Sequence, residues 1–325
     1  MLFVQCAKLG FMVALTMPYV YLTAGLAVLI ISGNLLVTGS VQIARYFKIS
    51  TLVVGLTVVA YGTSAPEMFI SVGAVLSDAH DIALGNVIGS NIANIGCILA
   101  VAVLVFPVPV NNKSLIFDLL IMFLFTVLLV VFGFNGVFGR FEGIILVLLL
   151  ICYTAWSVIK SRKKCAGEKI EPFTIKPWLA GLMILISIVG LYFSSGWFVN
   201  GAKEIALQWG ISERIIAISV VAIGTSMPEL IAMLVAGFRK ETDLTIGNII
   251  GSNLFNIAGV LGVSAIFRPL QISNQGLFFS DMLWVLSISI ALVLTMIPLS
   301  KGTIRRWEGA LLLGIFSVYM VKLFS

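Results

Sequence analysis

The chain reads as an all-α integral membrane protein with ten transmembrane helices arranged as two inverted five-helix repeats. Three observations lead there. Of 325 residues, 60% are hydrophobic and 10% charged, against about 25% charged in an ordinary soluble domain, and mean hydropathy is +1.13. The apolar residues gather in long uncharged runs. Two motifs recur along the chain at one fixed spacing.

Composition first removes whole classes of function. So little charge excludes a soluble enzyme, and the net charge of +6 reads as loop bias in a membrane protein rather than as a nucleic-acid footprint. Cys6, Cys97, Cys152 and Cys165 show no CxxC spacing, so neither a disulfide framework nor a zinc site follows. His80 is the single histidine and lies in a short hydrophilic break, which leaves catalytic triads and histidine metal cages unsupported. No cofactor and no nucleic-acid partner are implied.

A span needs about 20 apolar residues to cross the hydrocarbon. Charge-poor runs of that kind lie near 18–44, 51–76, 82–106, 115–133, 142–159, 178–200, 214–237, 244–267, 278–298 and 307–323. The period-two alternation of a membrane barrel is missing, so these backbones must satisfy themselves as helices. Residues 1–17 read as a leader into the first span rather than a removable signal peptide, because hydrophobicity runs on to Ile31 without a small-residue cleavage pattern. Counted loop by loop, 14 of the 20 Lys and Arg residues follow spans one, three, five, seven and nine. Those loops are expected in the cytoplasm, with both termini outside and the basic stretch from Lys160 to Lys176 as the main cytoplasmic linker. That cluster serves topology before any lipid-binding role.

GTSAPE at Gly62–Glu67 returns as GTSMPE at Gly224–Glu229, and GNVIGSNIANI at Gly85–Ile95 returns as GNIIGSNLFNI at Gly247–Ile257. Both pairs are offset by 162 residues, and 13 of 17 positions are identical. The chain therefore divides into a first repeat at 1–160, a linker at 161–176 and a second repeat at 177–325. Because five is odd, the second repeat enters the membrane from the opposite face, an arrangement many secondary transporters use.

Most acidic residues fall in loops or near span ends, but Glu67 and Glu229 sit well inside apolar spans, each directly after a proline. A carboxylate at the centre of a membrane helix costs about 3 kcal/mol on insertion scales. A bound cation compensates two of them at once. Glycine and proline loosen the helix, so carbonyls near Ala60–Thr63 and Ala222–Thr225 are expected to lose their usual partners. The hydroxyls of Thr63, Ser64, Thr225 and Ser226 add hard oxygens, which suit sodium or calcium. The bland alternative is a proline kink whose hydroxyls only heal the helix, and two symmetric copies each ending in glutamate argue against it.

The second motif carries Asn86, Ser90, Asn91 and Asn94, mirrored by Asn248, Ser252, Asn253 and Asn256. Ser90 and Asn94 are one turn apart on one face, as are Ser252 and Asn256. All four are expected to line the site, with interhelical hydrogen bonding as the alternative. Gly85 and Gly89, like Gly247 and Gly251, form small-xxx-small ridges for close helix packing. Asp118 and Asp281, near the starts of spans four and nine, are expected at the interface. Asp78, His80 and Asp81 read as a solvated acidic loop.

Paired GTS-x-PE motifs, each followed by GN-x-x-GSN-x-x-N, resemble the cation/calcium exchanger superfamily, specifically its prokaryotic sodium/calcium antiporters. The resemblance covers nearly the whole chain. It implies that Glu67 and Glu229 bind calcium directly, helped by the backbone carbonyls of Thr63 and Thr225. It implies sodium sites built from Ala60, Thr63, Ser64 and Ser90, with Ala222, Thr225, Ser226 and Ser252. It also implies three sodium ions per calcium, and two long helices, here spans one and six, that slide across a core of the other eight. Those spans carry small residues at Ser32, Gly33, Gly39, Ser40, Ser194, Ser195, Gly196 and Gly201, which suit either sliding or ordinary packing. Some members carry aspartate at one of the positions that are Asn94 and Asn256 here. With asparagine at both, one calcium or two sodium ions neutralise the pair, and a third sodium leaves a positive charge.

Two carboxylates about 5 Å apart at an effective dielectric of 20 repel by roughly 3 kcal/mol, so an empty site holds a proton or cations. Calcium, sodium and protons are then expected to exclude one another, with transport inhibited at low pH. Calcium/proton antiport is the near alternative and a passive cation channel the more distant one. An intramembrane protease finds neither an aspartate pair nor a serine with a base. Nothing in the pattern requires an oligomer.

Overall fold

The structure, a computed structural model, describes residues 2–110, 113–166, 172–211, 224–296 and 302–324. It is almost wholly helical. α1 (Leu2–Phe47) turns into α2 (Thr51–Thr63), which bends by 47° into α3 (Ala65–Leu76). α4 (His80–Val105), α5 (Lys113–Gly133) and α6 (Arg140–Cys165) follow. The second half comprises α7 (Pro177–Gln208), α8 (Met227–Phe238), α9 (Thr242–Phe267), α10 (Gln275–Leu294) and α11 (Arg306–Phe324).

Among the described residues, seven helices are long and apolar enough to cross a membrane, or eight if α2 and α3 form one bent span. Ten were expected from the sequence. The span expected at 214–237 begins in residues outside the described ones, leaving the 12 residues of α8. The last, α11, carries Arg306, Glu308 and Lys322. One boundary differs for a clear reason: the linker expected from 161 is helical as far as Cys165, and Arg162, Lys163 and Lys164 form the last turn of α6. Cations there complement the negative end of the helix dipole.

The two helices carrying the GN-x-x-GSN motif form the centre. The apolar windows of α4 and α9 are 72% and 83% buried, against 33% for α1 and 28% for α7. Close approach at the centre rests on glycine. A Cβ on Gly247 or Gly251 of α9 would run into the backbone of α2 at Leu52 and Leu56, and one on Gly55 would lie 2.6 Å from the Leu244 carbonyl oxygen. The packing role expected for this ridge holds. A Cβ on its counterpart, Gly85 or Gly89, would meet no described atom within 4 Å.

α1 and α7 lie along each other as a pair at the edge. Their small residues face one another more than they face the rest of the protein. A Cβ on Gly25 would sit 2.7 Å from the Phe198 nitrogen, and one on Gly39 2.8 Å from the Ala180 carbonyl oxygen. One on Gly201 would sit 2.6 Å from the Leu22 nitrogen. Gly33 alone of these turns toward Ile231 of α8. Most of the small-residue stripe thus welds the pair into one body. Its seam with the core is apolar, built from Leu29, Leu36, Val37, Ile184, Leu191, Ile231 and Val235.

Four two-residue strands tie the halves together. Val108–Pro109 pairs antiparallel with Thr303–Ile304, and Val137–Phe138 with Leu270–Gln271. Segments that pair in this way share one face of the protein, so the loop after α4 sits with the loop before α11, and the loop after α5 with the loop after α9. Asp118, expected at the interface, is buried instead, because α6 lies against it and Tyr153 Oη donates to its Oδ1 at 2.8 Å. The acidic loop is also tied down: Arg268 Nη2 lies 2.9 Å from Asp78 Oδ1, and the Ser273 amide donates to Asp81 Oδ1 at 3.4 Å.

Candidate cation-binding site

The helix breaks at both GTS-x-PE motifs in the same way. Ser64 leaves helical geometry at φ −89°, ψ 11°, and Ser226 at φ −94°, ψ 10°. The prolines Pro66 and Pro228 follow in the first turn of the next segment, and Glu67 and Glu229 come immediately after. A glutamate in a first turn meets the positive end of the new helix dipole. Proline lacks an N–H, so the carbonyls four residues earlier, those of Gly62 and Gly224, cannot make their helical bonds. The Ala60 carbonyl, expected to be freed, is not: it accepts from the Ser64 amide at 3.0 Å and from Thr63 Oγ1 at 3.4 Å. Within the expected stretch Ala60–Thr63, the break thus releases the carbonyl at Gly62 and not that at Ala60.

The two breaks meet at the centre. Ser64 Oγ donates to Glu229 Oε1 at 2.9 Å, a bond from the first half's motif to the second half's carboxylate. Thr63 Oγ1 donates to Asn248 Oδ1 at 3.4 Å, again across the halves. Glu67 and Glu229 are each 1% exposed, and Ser64, three residues before Glu67, is bonded to Glu229. Ala60, Thr63, Ser64, Ser90, Asn94, Ser226, Ser252 and Asn256 are all buried, on helices that pack against the two glutamate segments. Thr225 is half-buried and lines a cavity of about 410 Å³ together with Pro66, Ile70 and Asn200. Ala222 lies outside the described residues.

Polar atoms are left over at this centre. Glu67 Oε2, Glu229 Oε2, Asn94 Oδ1, Ser252 Oγ and both amide atoms of Asn256 are buried with no hydrogen-bond partner among the described residues. An unpartnered buried polar group costs about 1–3 kcal/mol, and a carboxylate more. The oxygens among these atoms are hard donors of the kind that sodium and calcium take.

Three contributors carried no site assignment in the sequence. Asn86 Nδ2 donates to the Glu67 backbone carbonyl at 3.2 Å and to Ser71 Oγ at 2.9 Å, and Asn248 reaches Thr63. Ser71 stands four residues after Glu67, one turn along the same face, a spacing that was available to find it. The π-helical turns were not: Gly55–Val59 precedes the first break, while Asn94–Leu99 begins at Asn94 and Phe255–Leu261 contains Asn256. Such turns loosen the backbone and recur at functional sites.

Residues 17–159 and 179–324 match the sodium/calcium exchanger protein family. The chain belongs to that family. It is 35% identical over 305 residues to an uncharacterised membrane protein of Methanocaldococcus jannaschii, covering 93% of this chain and 97% of that one. It is 30% identical to the sodium/calcium exchanger MaX1 of Methanosarcina acetivorans, covering 95% and 99%. The inner membrane protein YrbG of Escherichia coli is 34% identical over 93% and 95%. Among solved structures, the sodium-calcium exchanger NCX_Mj soaked with zero Na+ and Ca2+ matches with a TM-score of 0.80 at 34% identity, covering 94% of this chain and 99% of that one. This exchanger-family chain is thus a multi-pass helical membrane protein of a transporter family rather than of an enzyme class.

Proposed function

We propose that this family member is a secondary active antiporter that exchanges Ca2+ for Na+ across the cytoplasmic membrane by alternating access at the Glu67/Glu229 site. The observation that carries the reading is the Ser64 to Glu229 bond across the halves, set among buried oxygens that lack partners. A site of two carboxylates and neutral oxygens binds one divalent cation or a set of monovalent ones in competition, and antiport needs that exclusivity. Ligation belongs to Glu67 and Glu229 with Thr63, Thr225, Ser64, Ser226, Ser90, Ser252, Asn94 and Asn256, and Ala60 and Ala222 complete the sodium positions.

The same proposal has two inverted five-helix repeats, 1–160 and 177–325, with both termini outside and 161–176 in the cytoplasm. The strand pairings support it, because they join loops that the Lys and Arg count puts on one side. Exchange between the two faces then proceeds by the α1–α7 pair shifting on its apolar seam. Such a shift is cheap where side chains interlock weakly.

A second reading couples calcium to protons. Asparagine at both 94 and 256 leaves two carboxylates, and each accepts a proton when its cation departs. Radiocalcium uptake by purified protein in liposomes, under imposed sodium, proton or potassium gradients, decides between them. Uptake driven by outward sodium and abolished without it supports the proposal; uptake driven only by protons replaces it. Uptake that runs down the calcium gradient and ignores every counter-gradient makes the protein a channel.

A further inference from the structure

Pro66 and Thr225, neighbours of the glutamates in sequence, line a cavity against α7, and at the far end of α8 a cation ties that helix to α1. Arg239 follows the last residue of α8, the helix whose first turn carries Glu229. Its Nη1 donates to the Asn34 backbone carbonyl at 3.2 Å and to Thr38 Oγ1, both on α1. Thr38 Oγ1 in turn donates to the Asn34 carbonyl at 2.8 Å. That assigns the hydroxyl proton to the carbonyl and turns the hydroxyl lone pairs toward the guanidinium. The three groups close a ring in which each polar atom plays a consistent part. Hydrogen bonds from a charged donor are about twice as strong as neutral ones.

Its position gives the ring leverage. Arg239 is ten residues beyond Glu229, about 15 Å along the helix axis at 1.5 Å per residue. It bridges α8, which carries Glu229, to the body that must move. The seam elsewhere is apolar, and apolar contacts re-form after a slip of one turn, about 5.4 Å. A guanidinium fixed on a carbonyl and a hydroxyl does not re-form with whatever apolar group arrives in their place.

The sequence does not repeat these three residues in the other half. The 162-residue offset puts Ser77, Gly196 and Asn200 at the places of Arg239, Asn34 and Thr38. No cation stands there. Gly196 and Asn200 instead line the cavity that also reaches Thr225. We infer that Arg239 is a positioning residue that holds the α1–α7 pair down at its own end, and so favours the state in which the site opens through the cavity at the opposite end. The inference rests on the antiport reading for its consequence in transport, and on geometry alone for the conformational bias.

The test uses the full chain in liposomes, with the native cysteines replaced and one cysteine placed at Asn200. Alkylation by a membrane-impermeant maleimide reports opening at the cavity end and needs no transport. In Arg239→Gln the ion-free labelling rate is expected to fall three- to tenfold, with Arg239→Lys intermediate and Thr38→Val nearer to Gln. The KM for calcium is expected to fall when calcium is offered from the Arg239 face and to rise when it is offered from the cavity face, a split that a loss of folded protein does not produce. Unchanged labelling in both Arg239→Gln and Thr38→Val, with unaltered melting temperatures, overturns the inference. Should Arg239→Gln not fold, Thr38→Val alone decides. Wild-type protein that labels as expected but moves no calcium sinks the antiport reading and leaves the positioning role standing.

Discussion

The two copies of the GN-x-x-GSN motif hold nearly the same residues and do different things with their first asparagine. Asn86 turns back within its own half, bonding to Ser71 and to the Glu67 carbonyl. Asn248, its counterpart, crosses to Thr63 of the other half. The reason lies in a third residue. Where the first half has Ser71, the second has Met233, which offers no hydroxyl, so Asn248 Nδ2 is buried with no partner among the described residues while its Oδ1 accepts from Thr63. Duplication supplied two chemically similar sites, and one unmatched side chain made them unequal.

Removing either carboxylate tests what the halves share. Glu67→Gln and Glu229→Gln are each expected to weaken calcium binding at least a hundredfold, ~3 kcal/mol, measured as calcium-dependent thermal stabilisation and as uptake. If one variant keeps near-normal affinity, the two copies are far less equal than the burial of both glutamates implies. Overpacking the glycine ridge of α9 is the next largest effect. Gly251→Leu drives a side chain into the Leu56 carbonyl, and a loss of about 3 kcal/mol should appear as a lower melting temperature in detergent. The same change at Gly89 compares the two ridges directly.

Ser64→Ala removes the donor to Glu229 and is expected to lower calcium affinity about tenfold, ~1.5 kcal/mol for a bond to a charged acceptor. Ser226→Ala measures the other copy, and a difference between them reports the asymmetry. The smallest effect is the most pointed. Met233→Ser gives Asn248 Nδ2 the acceptor that Asn86 Nδ2 has, which should fix the amide beside Thr63 and change the KM for calcium by about threefold, roughly 0.7 kcal/mol. An unchanged KM would mean that the unpartnered Asn248 amide does not distinguish the two copies.

Legibility in the sequence varied with the physics involved. Helices long enough to cross lipid were readable because the bilayer imposes length and hydrophobicity on each run separately. The paired glutamates were readable because a buried acid in an apolar run is costly and the repeat showed it twice. Asp118 misled, since position near a helix start said nothing of Tyr153, 35 residues away, coming to cover it. The expected stretch of freed carbonyls, Ala60–Thr63, contained Gly62 but also Ala60, and only the break at Ser64 shows which bond Pro66 leaves unmade. The small residues of α1 and α7 were legible as a stripe, but not as a stripe that faces its twin.

By itself the sequence determined the membrane-embedded helical class, the duplication and the residue types gathered at the centre. Each of these follows from local cost: the solvation of a charge, the length of a span, the missing N–H of a proline. Only the tertiary structure decided which oxygens meet across the halves, that the small residues bind one long helix to the other, and that Arg239 reaches Asn34 and Thr38 on α1. Those outcomes depend on distances between residues up to about 200 positions apart, which no local preference encodes.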